Sequence, residues 1–191
     1  FNDFDQRKGD CNEKEFCFAW ERIKSESFKL TGSKEILLEK FIEKGRHIEI
    51  QICGNGKNFI HLFERECSIQ RRHQKIIEQT PCNGIDQTIL NKMYAAAIKI
   101  AKHIKYNNIG TIEFIVTQDQ SFYFLEMNTR LQVEHSITEF TTDLDLVEMQ
   151  IQLAQNGKLT INQKDISRKN YAIECRIYSE DPENNLYPQQ A

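Results

Sequence analysis

The chain has 191 residues, of which 39% are hydrophobic, and a formal net charge of -3. This length and apolar content suffice for one or two globular domains. The charge balance argues against nucleic acid as a partner, because neutralising phosphates needs a surplus of Lys and Arg. No apolar run approaches the ~20 residues that span a bilayer, so we expect no membrane partner. Because the chain begins at Phe1 without a signal peptide and stops at Ala191 without a terminal element, we expect a segment of a larger protein.

The first half of the chain predicts one helix and one hairpin. Apolar residues recur near residues 13–29 in a pattern typical of a short amphipathic helix. Residues 47–52 alternate between polar and apolar side chains, which predicts a strand. The segment Gly54-Asn-Gly56 supplies turn chemistry, and residues 59–63 predict the returning strand.

The second half predicts two helices and a second hairpin. Gly84 precedes a segment whose apolar residues recur at spacings of three and four, as in a helix. A hairpin is predicted over residues 110–127, and a second helix over 143–155 that stops at Gly157. Pairs of strands followed by helices indicate an α+β fold, with an antiparallel sheet flanked by helices.

The segment from Glu126 to His135 is the most informative in the chain. If its backbone is extended, every second side chain points to the same face. One face then carries two carboxylates, two amides and a guanidinium, from Glu126, Asn128, Arg130, Gln132 and Glu134. This row combines metal-ligand types, an anion clamp and a candidate base.

A pair of carboxylates is predicted across the second hairpin. If Asp119-Gln120 form a two-residue loop, Glu113 lies directly opposite Glu126, with Cβ atoms ~4.5–5.5 Å apart. Two facing like charges need a divalent cation with oxygen ligands or a shared proton. Asn128 on the same face favours Mg²⁺ bridging nucleotide phosphates. A register shifted by one residue would instead leave both carboxylates on opposite faces of the sheet.

The polar segment 64–75 contains five polar or cationic groups within six positions: Gln70, Arg71, Arg72, His73 and Lys75. A solvated run of charges explains such a segment. The alternative is an anion site that faces the carboxylate row and holds phosphate or carboxylate groups.

Five blocks in this order resemble the biotin carboxylase component of biotin-dependent carboxylases, which is an ATP-grasp enzyme. The blocks are Arg46–Gln51, Glu64–Lys75, Gly110–Glu113, Glu126–His135, and Glu174–Ile177 with Glu180–Pro182. The resemblance covers about residues 36–188. It implies ATP-dependent carboxylation of carrier-bound biotin by bicarbonate, through carboxyphosphate. The implied cofactors are ATP, Mg²⁺ or Mn²⁺, and biotin attached to a carrier domain outside this segment, and the implied partners are that carrier domain and a carboxyltransferase subunit in a hetero-oligomer.

The resemblance also implies residue roles at the metal and the bicarbonate. Glu113, Glu126 and Asn128 match the metal ligands. Bicarbonate is held by Lys75, Arg130, Gln132 and the backbone at Val133. Catalysis is implied for Glu134, Arg130, Arg176 and Lys75, with Glu134 as the general base and Arg176 as the group that steadies the biotin enolate.

For the nucleotide, the resemblance implies an adenine hinge and further contacts. The residues that match are Glu39, Lys40, Ile42, His47, Gln70 and His73, together with Glu113 and Glu126. It further implies that residues 1–38 are the tail of the ATP-grasp lid subdomain, 39–168 the main subdomain, and 169–191 the start of a C-terminal domain. Two positions depart from the family pattern: Ser136 stands where Pro is usual, and Asp143 where Gly is usual.

Within the family, the run that starts at Arg176 looks most like the α subunit of 3-methylcrotonyl-CoA carboxylase. Propionyl-CoA, acetyl-CoA and pyruvate carboxylases are the alternatives, as is a remnant that kept the fold without the chemistry. A carbamoyl-phosphate synthetase shares the metal pattern, but the row from Arg130 to Glu134 and the segment from Gln70 to Lys75 argue against it. The resemblance implies a mitochondrial matrix protein, or a cytoplasmic one if the source is bacterial.

Overall fold

The computed structural model describes residues 13–181 and 187–188. It divides into two units, Phe1–Phe41 and Ile42–Ala191. In the first unit, α1 (Glu13–Thr31) is the helix predicted near 13–29, and none of its residues is buried. Phe16 and Trp20 stack on it with ring centroids 5.9 Å apart. Residues 1–12 of the predicted lid tail lie outside the described residues.

The second unit is built on a six-stranded antiparallel sheet with the strand order β5-β4-β1-β2-β3-β6. The strands are β1 (Arg46–Asn55), β2 (Phe59–Arg71), β3 (Gln74–Thr80), β4 (Asn107–Val116), β5 (Phe122–Asn128) and β6 (Ala172–Cys175). The helices are α2 (Gln87–His103), α3 (His135–Thr142) and α4 (Leu146–Asn156), with a short 3-10 turn at Gln163–Asp165. A two-stranded ribbon pairs β7 (Glu180–Asp181) with β8 (Tyr187–Pro188).

Strand β1 lies in the interior of the sheet and is buried on both faces. Ile48, Ile50 and Ile52 pack in the hydrophobic cluster that includes the buried side of α2. Since successive side chains of a strand alternate, Glu49 and Gln51 are turned to the opposite face, and both are fully buried there. Because the isoleucines pack on one face of the sheet, Glu49 and Gln51 are buried on the opposite face.

In the second hairpin, the predicted carboxylates pair with each other, but the loop and the register next to it differ from the prediction. Its loop has three residues, because Thr117 N donates to Ser121 O at 2.9 Å and Gln120 adopts a left-handed φ of 63°. Phe114 therefore pairs with Phe124, one residue out of the predicted register. Leu125 then forms a bulge that restores it, and Glu113 pairs with Glu126. The predicted two-residue loop is wrong, and the predicted pair is confirmed.

The segments that hydrophobic periodicity missed are mostly polar. Strand β2 continues to Arg71, and β3 occupies part of the segment described only as polar and basic. Helix α3 was not predicted, since its Thr residues are weak helix formers. The helix expected over 143–155 begins at Leu146, where Asp145 Oδ1 accepts from Glu148 N at 2.7 Å, and it ends at Gly157 as predicted.

Asp143, where the family usually has Gly, ends α3 in the left-handed conformation, with φ 55° and ψ 34°. We expect Asp143→Gly to raise the free energy of unfolding by about 0.5 kcal/mol. The left-handed backbone costs a residue with a Cβ about 1 kcal/mol. The exposed ion pair between Asp143 Oδ2 and Lys169 Nζ, 2.6 Å apart, contributes less than that. Urea denaturation measures the change.

The matched control is Asp143→Ala, which removes the ion pair and keeps a Cβ in the left-handed conformation. It should lower the free energy of unfolding. Equal destabilisation by the Gly and Ala variants would show that the ion pair with Lys169, and not the backbone, determines stability at this position.

Candidate active site

Lys75 lies at the centre of the polar face of the sheet. Its ammonium Nζ donates to Glu49 Oε2 at 2.5 Å, to Glu113 Oε1 at 2.9 Å and to Glu134 Oε1 at 2.6 Å. Burial disfavours the charged ammonium, but the three carboxylates outweigh burial and raise the pKa of Lys75 above its ordinary value. One cation thus bridges carboxylates from two strands and from the turn before α3.

The β2–β3 hairpin places Lys75. Arg71 pairs with Gln74, and the two residues between them, Arg72 and His73, both have positive φ angles. A two-residue loop of this kind fixes the register of the strands that it joins. Lys75 therefore points to the polar face, whereas Arg71 bonds Glu180 and Arg72 and His73 are exposed at the turn.

The two facing carboxylates lie beside Lys75. Asn128 Nδ2 donates to Glu113 Oε1 at 2.9 Å and to Glu126 Oε1 at 3.3 Å, so the three side chains share one face. Glu113 is buried and Glu126 is exposed. His47 Nε2 lies 2.8 Å from Glu113 Oε2, at ion-pair distance but without hydrogen-bond geometry. Burial disfavours the carboxylate form, but His47 and Lys75 outweigh burial and hold the pKa of Glu113 well below its ordinary value.

This donor set fits a hard divalent cation. Glu113 and Glu126 offer carboxylate oxygens, and the exposure of Glu126 leaves room for water or phosphate oxygens, as Mg²⁺ requires. A rotation of the Asn128 amide would exchange its nitrogen for its oxygen without moving the backbone. These residues would hold the ion, which would neutralise phosphate charge.

Two further groups of potential ligands cluster nearby: His47, Glu49 and Glu113, and Glu49, Cys67 and Glu134. They suit a cation less well, because both oxygens of Glu49 accept hydrogen bonds from cationic side chains, whereas Glu113 accepts one such bond, from Lys75, and Glu126 accepts only from an amide. Glu49 Oε1 accepts from Arg65 Nε at 2.6 Å and Glu49 Oε2 accepts from Lys75. Binding a metal there would first require breaking two charge-assisted hydrogen bonds.

Arg65 is fully buried beneath the site, and all its N–H groups are used. Its partners, at 2.6–3.3 Å, are Glu49 Oε1, Gln51 Oε1, Thr138 Oγ1, Thr111 Oγ1 and Gln132 Oε1. These partners come from β1, β4, α3 and the loop after β5. Arg65 therefore holds the floor of the site together from four parts of the chain.

Sequence reasoning singled out neither Arg65 nor Glu49 as site residues. In the sequence, Glu49 was only one polar position of the alternating strand predicted over residues 47–52. The available signal was its position between Ile48 and Ile50 on a strand flanked by other strands, where a charge can be retained only with a partner. Knowing that β1 is interior required the sheet order, which the sequence did not give us.

The row from Glu126 to Glu134 is only partly extended. β5 ends at Asn128, so the predicted single strand face is wrong beyond that residue. Gln132 and Glu134 nevertheless reach the site. Gln132 Nε2 donates to Glu113 Oε1 at 2.9 Å, and Glu134 is buried against Lys75.

Arg130 does not join them. It is exposed, and its Nη1 donates to the neighbouring Leu131 O at 3.2 Å. The expected convergence of Lys75, Arg130, Gln132 and Glu134 is therefore correct for three of the four side chains. The backbone at Val133, expected at the bicarbonate, belongs to the turn that precedes α3. The chain leaves the strand before Arg130, which is why alternation fails there.

Arg176 approaches the same site from the edge of the sheet, just after β6. Its backbone N donates to Ile76 O at 2.9 Å, which continues the pairing with β3. Its Nη2 donates to Glu134 Oε2 at 2.9 Å, and its Nε donates to Glu78 Oε1 at 2.7 Å. Glu134 thus has a cation on each oxygen, Lys75 on Oε1 and Arg176 on Oε2.

The residues expected at the nucleotide are only partly placed together. Gln70 Nε2 lies 2.8 Å from His47 Nδ1, beside Glu113. His73 is exposed at the β2–β3 turn, and Ile42 begins the second unit. Glu39 and Lys40 are exposed residues of the first unit. The nucleotide roles of these residues, and the predicted domain boundary at 168, stay predictions.

Comparison with a family model decides the family. Residues 11–162 match the ATP-binding domain of the carbamoyl-phosphate synthase L chain. The chain belongs to this family. Among the helices that the structure describes in this family member, none is long and apolar enough to cross a membrane.

Similar sequences include three carboxylase proteins. Biotin carboxylase 2 of Bacillus subtilis is 52% identical over 172 residues, which are 90% of this chain and 39% of the relative. The mitochondrial methylcrotonoyl-CoA carboxylase subunit alpha of Rattus norvegicus is 46% identical over 178 residues, 93% of this chain and 25% of the relative. Pyruvate carboxylase of Staphylococcus aureus is 46% identical over 177 residues, 89% of this chain and 15% of the relative. The chain thus spans well under half the length of each.

A solved structure extends the similarity to the fold. The biotin carboxylase domain dimer of the Hydrogenobacter thermophilus 2-oxoglutarate carboxylase, in complex with MgADP, ADP and bicarbonate, superposes with a TM-score of 0.84. It is 43% identical, and the match covers 93% of this chain and 39% of that one. The fold is therefore the ATP-grasp fold, and the predicted α+β architecture is confirmed.

The network around Arg65 predicts an unequal response to removing two arginines. We expect Arg65→Met to lower the free energy of unfolding by about 3–5 kcal/mol, because Glu49 would keep a buried charge with one partner fewer. Arg46→Met is the matched control. It breaks the less buried pair with Glu66 (Nη2 to Oε2, 2.8 Å) and should cost roughly 1 kcal/mol. Urea denaturation of both variants compares them, and equal losses would contradict the central place of Arg65.

Proposed function

We propose that the chain is the ATP-binding part of a biotin carboxylase, which uses ATP and bicarbonate to carboxylate biotin on a carrier domain. The observation that carries this proposal is the position of Lys75. Its ammonium links Glu113 of the facing carboxylate pair to Glu134, whose other oxygen bonds Arg176. Metal ligands, a base and an anion-stabilising guanidinium are thereby joined in one network.

In the first half-reaction, an oxygen of bicarbonate attacks the γ-phosphorus of ATP, and ADP leaves. Glu134 accepts the bicarbonate proton, and the product is carboxyphosphate. Burial disfavours the ionised form of this carboxyl group, but Lys75 outweighs burial and lowers the pKa of Glu134, so the group is ready to act as a base at neutral pH. Lys75 and Gln132 supply donors for the anion.

In the second half-reaction, carboxyphosphate breaks down to CO₂ and phosphate, the released phosphate takes the proton from N1 of biotin, and N1 captures the CO₂. Negative charge develops on the ureido oxygen of biotin. Arg176 is the cation at the rim of the network that is free to meet this charge, since it is only partly buried and lies at the sheet edge. Lys75, in contrast, is enclosed by carboxylates.

For the acyl acceptor, we propose 3-methylcrotonyl-CoA, supported by the run from Arg176 to Leu186 and by the similarity to the rat subunit. Pyruvate is the second candidate, because the S. aureus pyruvate carboxylase is equally identical at 46%. The choice belongs to the carboxyltransferase partner. Assaying the full-length protein with both acceptors separates them. The first candidate implies a mitochondrial location, as the name of the rat relative states. The other two relatives are bacterial, and similarity to them favours a cytoplasmic location.

Two substitutions in the full-length protein test which half-reaction depends on Glu134 and which depends on Arg176. Glu134→Gln should abolish both bicarbonate-dependent ATP hydrolysis and carboxybiotin formation, because bicarbonate without a base is a poor nucleophile. Arg176→Ala should largely spare ATP hydrolysis and reduce carboxybiotin formation about 100-fold or more, since its charge acts when the enolate forms. Both activities are measured side by side on each variant.

Arg46→Ala serves as the control, because Arg46 is also partly buried and paired with a carboxylate, but lies outside the network. It should leave the ratio of the two activities unchanged. Equal losses of both activities in Arg176→Ala would remove its assigned role. A full-length wild-type protein that hydrolyses ATP without any dependence on bicarbonate would overturn the proposed function itself.

A further inference from the structure

Glu78 on β3 is a fully buried carboxylate whose two oxygens are used unequally. Oε1 accepts from Nε of Arg176 at 2.7 Å, and Nη2 of Arg176 lies 2.6 Å from the same oxygen, at ion-pair distance. Oε2 has no hydrogen-bond partner among the described residues. Burial raises the pKa of Glu78 above its ordinary value, although Arg176 opposes the shift.

The stability of the fold does not explain this residue. A buried carboxylate with one unsatisfied oxygen is costly, because the group has lost its water without gaining full compensation. Replacing a whole buried ion pair by apolar residues is often neutral or stabilising, so the pairing of Glu78 with Arg176 is weak evidence for a role in stability. An unsatisfied buried group in a native structure calls for an explanation, and a role at a functional site is one.

The partner of Glu78 supplies that reason. Arg176 follows an edge strand of only four residues, and its long side chain has many rotamers to lose. Glu78 accepts a hydrogen bond from Nε, and Glu134 accepts one from Nη2. The hydrogen bonds of the described residues thus leave Nη1 of Arg176 for a ligand. Glu134 becomes neutral once it accepts the bicarbonate proton, which weakens its hold on Arg176, whereas Glu78 does not meet bicarbonate in the proposed reaction.

We propose that Glu78 is a positioning residue for biotin carboxylation, which fixes the guanidinium of Arg176 while Glu134 changes its protonation state. This inference rests on the role that the proposed function gives Arg176. Glu78 acts through Arg176 and contributes to the second half-reaction, and not to the attack of bicarbonate on ATP.

The test uses the full-length protein with Glu78→Met, which has similar length and no acceptor, and Glu78→Gln, which keeps one oxygen. Glu78→Met should reduce carboxybiotin formation about tenfold or more, as expected for the loss of a charge-assisted hydrogen bond. Bicarbonate-dependent ATP hydrolysis should stay within about twofold of wild type. Glu78→Gln should fall between Glu78→Met and wild type, because its oxygen can still accept from Arg176.

Glu66→Gln is the matched control. Glu66, on the neighbouring strand β2, bonds Arg46 and Gln79 outside the network. Its substitution should leave the ratio of carboxybiotin formed to ATP hydrolysed unchanged. The unfolding temperature of Glu78→Met should stay close to that of wild type, because Arg176 is partly exposed and keeps Glu134 as a partner. If Glu78→Met loses stability and both activities in parallel, Glu78 is a structural residue and the inference is wrong.

A double-mutant cycle tests whether Glu78 acts through Arg176. Adding Glu78→Met to Arg176→Ala should cause no further loss of carboxybiotin formation. Independent, multiplicative losses would overturn the positioning role. The wild-type assay separates the two levels of the argument: a protein that forms no carboxybiotin refutes the proposed function, whereas an active wild type with a fully active Glu78→Met variant refutes only the role of Glu78.

Discussion

Three carboxylates share one ammonium group, and the rest of the site depends on that contact. Glu49, Glu113 and Glu134 are buried, and each bonds Lys75 Nζ. Buried charges are retained only when partners and hydrogen bonds replace the lost water. The carboxylates repel one another, so a displacement of Lys75 would remove the one cation that all three share. The tight β2–β3 turn, which fixes the register of Lys75, is therefore as important as the lysine itself.

Positive and negative side chains alternate along the hydrogen-bonded network on both sides of Lys75. Arg65 lies below Glu49, and Arg176 lies beyond Glu134 and is held by Glu78. In the proposed reaction, such an arrangement would orient donors before any substrate arrives, so that little reorganisation would be needed when charge develops. It also separates the proposed metal ligands from the proposed biotin contact. The facing carboxylates lie at one end of the network, and Arg176 lies at the other, open end.

The sequence predicted which residue types meet at the site better than it predicted the backbone conformation of the segments that carry them. The Glu113–Glu126 pair is confirmed although the loop was wrong, because the bulge at Leu125 cancels the effect of the extra loop residue. Alternation failed at Arg130, where the strand had already ended. Arg65 could not be recognised, since its partners come from four separate parts of the chain and their meeting depends on the sheet order. Local patterns carry residue types, whereas such long-range contacts appear only in the folded chain.

In the proposed function, the facing carboxylates form the metal site and Lys75 links them to the base. Anomalous diffraction from crystals of the full-length protein, grown with Mn²⁺ and a non-hydrolysable ATP analogue, tests this arrangement directly. We expect a manganese peak between the carboxylates of Glu113 and Glu126, with Lys75 Nζ still bonded to Glu134. A peak at Glu49 and His47, with Lys75 displaced from the carboxylates, would contradict it.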